Sequence, residues 1–235
     1  ILSTLDSGRL KLSDYQLDQW RLMHIGAQPV PPSLIRRWKE KFPGHQYDTN
    51  YGLSESIGPG CVHLGVENIH KVGAIGVPGF GWETKIVDEH GNTVARGEVG
   101  ELAVKGPGVM TAYYKDEKAT AESIRDGWLY TGDLGYLDEK GFLYIVGRKS
   151  NAIRLTDGKA VYPEELEKLL LDTGIIEEAA VVGYPCPDGT KTDIVAILCP
   201  DYTLLQEPDH NGPTPQRLAQ NLKKAIASVN AQVSP

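Results

Sequence analysis

Between Val72 and Gly147 glycines cut the chain into short β-prone runs, and this punctuation limits the fold more than any other feature. The runs are Trp82–Val87, Gly100–Lys105, Trp128–Tyr130 and Phe142–Val146. Branched and aromatic side chains suit a pleated, half-buried surface. Asp88-Glu89-His90-Gly91-Asn92 and Asp138-Glu139-Lys140-Gly141 lie between runs, each with a glycine to supply the positive φ of a hairpin turn. The pattern predicts a small, distorted antiparallel β-barrel over residues 73–148, interrupted by a helix from Lys115 to Ile124.

The flanks have a different texture. Residues 1–72 alternate strand and helix signals, as a remnant of an α/β subdomain would. Leu22–Ile25 and Gln46–Asn50 read as strands. Pro32–Phe42 reads as a helix with Ser33 as its cap and Leu34, Ile35 and Trp38 on one face. Beyond Val146-Gly147-Arg148 the polar residues 149–152 separate the barrel from a third region, 153–235. There Pro163–Leu171 is amphipathic, with Glu164, Glu165 and Glu167 in the first turns, where the helix dipole favours them. Ile153–Leu155, Ile175–Tyr184 and Asp193–Leu198 read as strands, Pro200–Pro215 as a polar loop and Gln216–Ala231 as a helix. The fold class is thus α/β and α+β: an α/β remnant, a barrel-like subdomain and a small α+β domain.

Composition narrows the function. A net charge of −7 over 235 residues argues against a nucleic-acid-binding face. Apolar residues make up 40% of the chain, yet no apolar run approaches the roughly 20 residues that span a bilayer. Cys61, Cys186 and Cys199 lack metal-ligand spacing and read as reduced thiols of a cytoplasmic protein. Lys71, Lys85, Lys105, Lys115 and the six histidines read as solvated surface groups. The chain opens at Ile1 without an initiator Met, which predicts a piece of something longer.

Two clusters carry chemistry. In Trp128-Leu129-Tyr130-Thr131-Gly132-Asp133, a strand runs into what reads as a turn, leaving the Asp133 carboxylate at a strand end. Such a carboxylate can accept both hydroxyls of a ribose, and the Arg148 guanidinium adds a fixed fork of donors. Read alone, Thr-Gly-Asp is only a turn, and Asp133 with Arg148 only a surface ion pair. In Asn50-Tyr51-Gly52-Leu53-Ser54-Glu55, Tyr51 can stack on a purine, Ser54 can donate to an α-phosphate, and Glu55 can hold Mg²⁺ directly or through water. The plainer reading is a turn in which Ser54 caps a helix.

The order of motifs changes that balance. After the Tyr-Gly-x-Ser-Glu run come Gly97-Glu98-Val99-Gly100-Glu101-Leu102, then Gly106-Pro107-Gly108-Val109-Met110 reaching Tyr113-Tyr114, then Thr131-Gly132-Asp133, Arg148, and Gly158-Lys159-Ala160-Val161-Tyr162-Pro163-Glu164-Glu165. This series resembles the acyl-adenylate-forming superfamily from about Gly26 to the C-terminal end. The resemblance implies catalytic roles for Ser54, Glu55 and Arg148, with Glu55 on the metal. It implies a nucleotide site of Gly26, Ala27, Gln28, Asn50, Tyr51, Gly52, Ser54, Asp133 and Arg148. Gly26-Ala27-Gln28-Pro29 stands where relatives carry a Gly-Gly-Ala-Pro-like turn, and Ala27 and Gln28 depart from that pattern. The resemblance further implies a hinge at Ser150 and Asn151, which replace the usual Lys and Asp, and a mobile lid formed by residues 153–235. Arg154 and Gly158 fall where relatives serve the coenzyme A step, although a plain strand and turn suit both.

The implied reaction uses Mg-ATP and coenzyme A to activate a small-molecule carboxylic acid. The Val161-Tyr162-Pro163-Glu164-Glu165-Leu166-Glu167 stretch resembles long-chain fatty acid ligases most, and a long-chain acid would bring the enzyme to a membrane surface. Delivery of an amino or aryl acid to a carrier protein, and a non-catalytic relative, are the alternatives. Neither the acid's length nor the oligomeric state is legible. The superfamily's phosphate loop and late lysine do not occur in this sequence, so the 235-residue chain by itself is expected not to adenylate.

Overall fold

The computed structural model describes residues 1–26, 30–186, 191–202 and 213–233. In chain order the helices and strands are α1 (Leu2–Asp6), β1 (Leu22–Ile25), α2 (Pro32–Lys41), β2 (Gln46–Leu53), β3 (Gly58–His63), β4 (Val77–Pro78), β5 (Glu83–Val87), β6 (Gly100–Lys105), α3 (Glu117–Ser123), β7 (Ile124–Arg125), β8 (Trp128–Leu137) and β9 (Leu143–Arg148). They are followed by β10 (Ile153–Arg154), β11 (Ala160–Val161), α4 (Pro163–Asp172), β12 (Ile176–Pro185), β13 (Thr192–Pro200) and α5 (Pro215–Asn230). The chain divides into two compact units. One holds Leu22–Val30 and His45–Asn151; the other holds Ile1–Arg21, Pro31–Gly44 and Ala152–Pro235.

The first unit is a curled sheet. Strands β1 and β2 pair in parallel, and β3 and β4 continue the sheet antiparallel. Strands β5, β6, β8 and β7 form a second sheet, with β9 added on β8. The two are spliced at Gly76, which bridges Leu143: Ile75 N–H donates to Leu143 O and Leu143 N–H to Gly76 O, both at 2.8 Å. The result is the expected distorted barrel, part-closed. Cys61, Val62, Ile86, Leu102, Val104, Leu129 and Leu143 fill it, each at most 2% exposed. The predicted hairpin turns form as expected, with Gly91 at φ 85° and Gly141 at φ 84°.

Several sequence expectations shift in detail. Asn50-Tyr51-Gly52 is not a turn but the end of β2, and the turn comes later as a 3-10 segment, Ser54–Ser56. Thr131-Gly132-Asp133 is not a strand-end turn either. It lies inside the ten-residue β8, where the five residues Tyr130 to Leu134 of β8 lie against the three residues Ala103 to Glu101 of β6. This bulge, with Gly132 at φ 74°, turns the chain without ending the ladder. Lys71 is not a free surface charge: its ammonium reaches Asp138 at 2.7 Å and lies over the Phe142 ring. Lys85 and Lys105 both lie over the Trp128 ring.

In the second unit, α4 and α5 cover the β12–β13 hairpin through Leu170, Ile176, Val181, Ala225 and Val229. Ser33 does not cap α2. Pro31 is the cap residue, and a carboxylate oxygen of Asp172, the last residue of α4, accepts from Ser33 N–H at 3.0 Å. An orphan amide at a helix start must find an acceptor, and α4 supplies it. Arg37 and Lys41 on α2 both pair with Asp6 of α1. These contacts group residues 31–44 with the C-terminal region rather than with 45–72, whose strands continue into the barrel through β3 and β4. The expected loop Pro200–Pro215 falls largely outside the described residues.

The sheet splice gives a stability prediction. A Cβ on Gly76 would lie 1.8 Å from the His63 carbonyl oxygen, and Gly76 sits at φ 127°. Backbone cannot yield as a side-chain tip can. Gly76→Ala should destabilise the chain by about 2 kcal/mol or more, read as a drop in the urea midpoint; an unchanged midpoint would show that the splice carries no stability.

Candidate nucleotide site

The two sheets of the barrel meet at Asp133. The β8–β9 hairpin sets Asp133 directly opposite Arg148, and one extra residue in β9, Val146, makes a bulge between the Leu134–Gly147 and Gly135–Ile145 pairs. Arg148 Nε donates to Asp133 Oδ1 at 2.7 Å. From β2, the Tyr51 hydroxyl donates to Asp133 Oδ2 at 2.5 Å. Asp133 N–H donates to Thr131 Oγ1, which itself donates to Leu102 O at 2.8 Å. Asp133 is only 6% exposed, so its charge must be compensated by such partners.

A carboxylate offers about four lone-pair sites. Two are taken, one on each oxygen, which leaves each oxygen able to accept one more hydrogen bond, as a pair of vicinal hydroxyls could supply. Arg148 uses Nε alone on Asp133, so its two terminal amino groups keep donors for an anion. The Arg148 side chain is half exposed, which suits a group meeting solvent-borne phosphate. The hydrogen bond to Asp133 holds the guanidinium still further toward its charged form. Burial, then the Asp133 charge, pushes the Tyr51 phenol well above its ordinary 10.

A second group gathers beside this one. Gly106 and Gly108 let the backbone lie against Trp82: a Cβ on either would meet its ring at 2.4 or 2.9 Å. That close approach brings the following segment to the Tyr-Gly-x-Ser-Glu run, where Met110 N–H donates to Glu55 O at 2.7 Å and the Tyr113 hydroxyl to Glu55 Oε1 at 2.9 Å. The bond to Glu55 raises the Tyr113 phenol. Ser54 opens the 3-10 turn with its side chain exposed. It does not cap; the buried Ser56 does, its Oγ accepting from Leu53 N–H and donating to Leu53 O. A cleft of about 240 Å³ joins Glu55, Tyr113, Thr131, Gly132, Glu101 and Arg148.

Gly26 and Asn50 are also brought together. A Cβ on Gly26 would stand 2.9 Å from Asn50 Oδ1, so the glycine makes room for the amide. Asn50 Nδ2 lies 2.8 Å from His24 Nε2, and His24 Nδ1 lies 3.3 Å from Asp48 Oδ2. His24 is therefore bonded on both ring nitrogens rather than merely solvated. Ala27 and Gln28 lie outside the described residues. Ser150 and Asn151 form a 3-10 turn with Lys149, the last residues of the barrel unit. Arg154 and Gly158 belong to the other unit, in the β10–β11 hairpin, where Gly158 N–H donates to Leu155 O and Gly158 takes φ 86°.

The fold brings together Tyr51, Glu55, Asp133 and Arg148, which the sequence singled out, with Tyr113 and Glu101, which it did not. Each lay inside a quoted motif, yet nothing in a linear motif says which side chain reaches across a sheet. Glu55 supplies one hard oxygen donor, and no group of three His, Cys, Asp or Glu side chains capable of holding a metal occurs among the described residues. That donor set fits Mg²⁺, which commonly takes one or two carboxylates and completes its shell with nucleotide phosphates and water.

Comparison with known proteins gives the family. Residues 2–114 match the family described as AMP-binding enzyme. The long-chain-fatty-acid–CoA ligase of Salmonella typhimurium is 40% identical over 191 residues, covering 78% of this chain and 33% of the relative. An o-succinylbenzoate CoA synthetase from Bacillus subtilis, solved with its acyl-adenylate intermediate, superposes with a TM-score of 0.72 at 32% identity, over 94% of this chain and 43% of that one. The same synthetase has been solved with ATP and magnesium and with AMP. An amide bond synthetase from Marinactinospora thermotolerans gives a TM-score of 0.75 at 28% identity, over 97% of this chain and 44% of that one. The chain belongs to the acyl-adenylate-forming, AMP-binding superfamily, and its curated relatives include coenzyme A ligases. It spans about a third of the length of the curated relatives it matches.

The buried Tyr51 phenol gives a pH prediction. A phenol raised above 10 in the folded chain stabilises fully below pH 10, and that contribution is lost as pH rises through the folded value. Tyr51→Phe should flatten the fall in stability above pH 10, while at neutral pH the unpartnered Asp133 oxygen costs about 1–3 kcal/mol. Urea unfolding at pH 7 and pH 11 reads both effects.

Proposed function

We propose that the whole protein activates a carboxylic acid by adenylation and passes the acyl group to coenzyme A, and that this chain contributes the nucleotide-binding face. The observation that carries the reading is a nearly buried carboxylate with both oxygens anchored and one lone pair free on each. Asp133 takes the ribose hydroxyls, and Arg148 takes a phosphate oxygen through its terminal amino groups. Tyr51, tethered by its hydroxyl to Asp133, offers its ring to the adenine, with Asn50 and Gly52 beside it on the same strand end; Gly26, Ala27 and Gln28 complete the nucleotide site. Ser54, exposed at the head of its turn, donates to the α-phosphate. Glu55, steadied by Tyr113, holds Mg²⁺, which when bound neutralises phosphate charge.

The acid's carboxylate then attacks the α-phosphorus, an O–P bond forms as pyrophosphate leaves, and the thiol of coenzyme A later displaces AMP with loss of its proton. Donors fixed toward the phosphate stabilise charge that grows in the transition state. Ser150 and Asn151 are the hinge about which residues 153–235 turn as a lid between the two half-reactions, and Arg154 and Gly158 then serve the thioester step. Few-residue hinges of this kind absorb large backbone changes.

A fatty acid is the substrate class we favour, on the strength of the Val161–Glu167 stretch and the identity to the long-chain ligase. Similarity to an amide bond synthetase supports a second reading, transfer of the activated acyl group to an amine. No described helix is long and apolar enough to cross a membrane. We place the enzyme in the cytoplasm, at a membrane surface if its acid is long.

Isothermal calorimetry with AMP tests the site. Asp133→Ala should weaken binding by about 100-fold, the loss expected when charge-assisted bonds to two hydroxyls disappear. Equal affinity in the variant would remove Asp133 from the site. Acid-dependent ATP–pyrophosphate exchange by the whole protein, run across fatty, aryl and amino acids, names the substrate class.

A further inference from the structure

The nucleotide face and the hinge share one side chain. Glu101, on β6, pairs with Leu134 at one end of the register mismatch that creates the bulge carrying Asp133. Its Oε1 accepts from Gly132 N–H at 3.1 Å, and its Oε2 pairs with Lys149 Nζ at 3.0 Å. Its side chain is 14% exposed, whereas that of Lys149 is 58% exposed. Gly132 is the bulge residue between Thr131 and Asp133, and it holds a left-handed φ of 74°. Lys149 directly follows Arg148, the partner of Asp133, and opens the 3-10 turn that contains Ser150 and Asn151.

We propose that Glu101 is a positioning residue for nucleotide recognition: one oxygen fixes the backbone of the ribose-binding bulge while the other fixes Lys149, the residue between Arg148 and the hinge. The geometry supports this in two ways. A bulge frees amides from the ladder, and an amide left without a ladder partner needs another acceptor. Glu101 meets that need at the residue whose placement sets the aim of the Asp133 carboxylate. The same carboxylate anchors the backbone immediately after Arg148, so both members of the ribose-and-phosphate pair are held from one point. An exposed ion pair alone is worth little, so the amide bond does most of the holding and the ion pair sets where Lys149 lies.

The inference rests on the nucleotide reading above, and the test separates the two. Three variants are compared with the parent chain for AMP affinity by calorimetry and for exchange of the Gly132 amide by hydrogen–deuterium measurement. Glu101→Ala loses both contacts and should weaken AMP by about 10-fold, with faster Gly132 exchange. Glu101→Gln keeps an oxygen for Gly132 N–H and should retain both affinity, within about 3-fold, and protection. Lys149→Met should leave Gly132 protected and cut affinity by about 2–3-fold, an effect that 0.5 M salt applied to the parent chain reproduces. Rescue by Gln, which a merely destabilised barrel would not show, is the decisive readout. If the parent chain binds AMP and Glu101→Ala binds it equally well, the positioning role is wrong and the nucleotide reading stands. If Glu101→Gln is as weak as Glu101→Ala, the amide contact is not what positions the site, and the proposal is wrong again. If the parent chain binds no AMP, the nucleotide reading falls and takes this inference with it.

Discussion

A carboxylate that is almost removed from water organises the barrel unit. At 6% exposure the Asp133 carboxylate needs donors close by, and its two come from different directions: Arg148 across a hairpin and Tyr51 from the other sheet. Meeting that requirement fixes how far β8 must depart from a regular ladder and how closely β2 must approach it. The splice at Gly76 serves the same end, because it closes the edge between the two sheets and keeps the Tyr51 strand within reach of β8.

The proposed function rests on what the pairing leaves over. If Asp133 were fully satisfied by protein donors it would be a structural ion pair, and such pairs contribute little beyond the energy they recover from desolvation. Here each oxygen has one protein donor, and the partner arginine keeps its terminal amino groups free of Asp133. Next to this lies Glu55, held by the Tyr113 hydroxyl through a loop that only glycines at 106 and 108 allow past Trp82. The site is thus a set of half-used polar groups, each held in place by a bond that does not consume its capacity for a ligand.

Glycine positions in this chain do two different kinds of work. At 91 and 141 they supply positive φ to hairpin turns, which sequence rules recognise directly. At 106 and 108 they supply closeness, since the indole of Trp82 occupies the space a Cβ would need. The second use leaves no local mark, because the aromatic residue sits more than twenty positions earlier and nothing in the spacing ties them together.

Short-range physics made the hairpin turns, the strand runs of the barrel, α4 and α5 legible from the residues alone, because turn chemistry and hydrophobic periodicity are local. Motif order singled out Asp133 with Arg148, which do pair, and Ser54 with Glu55, of which Glu55 lines the adjoining cleft. What the sequence hid was contact. That Asn50–Gly52 belongs to a strand, that Thr131–Asp133 is a bulge inside one, and that Tyr51, Tyr113 and Glu101 reach partners distant in the chain all depend on how separate segments are brought together. The Ser33 amide finding its acceptor in Asp172, 139 residues away, is the same lesson in the second unit. A linear chain determines which groups are available and how each segment bends; only the folded arrangement decides which of them share a hydrogen bond, because that depends on distances between segments that no local preference encodes.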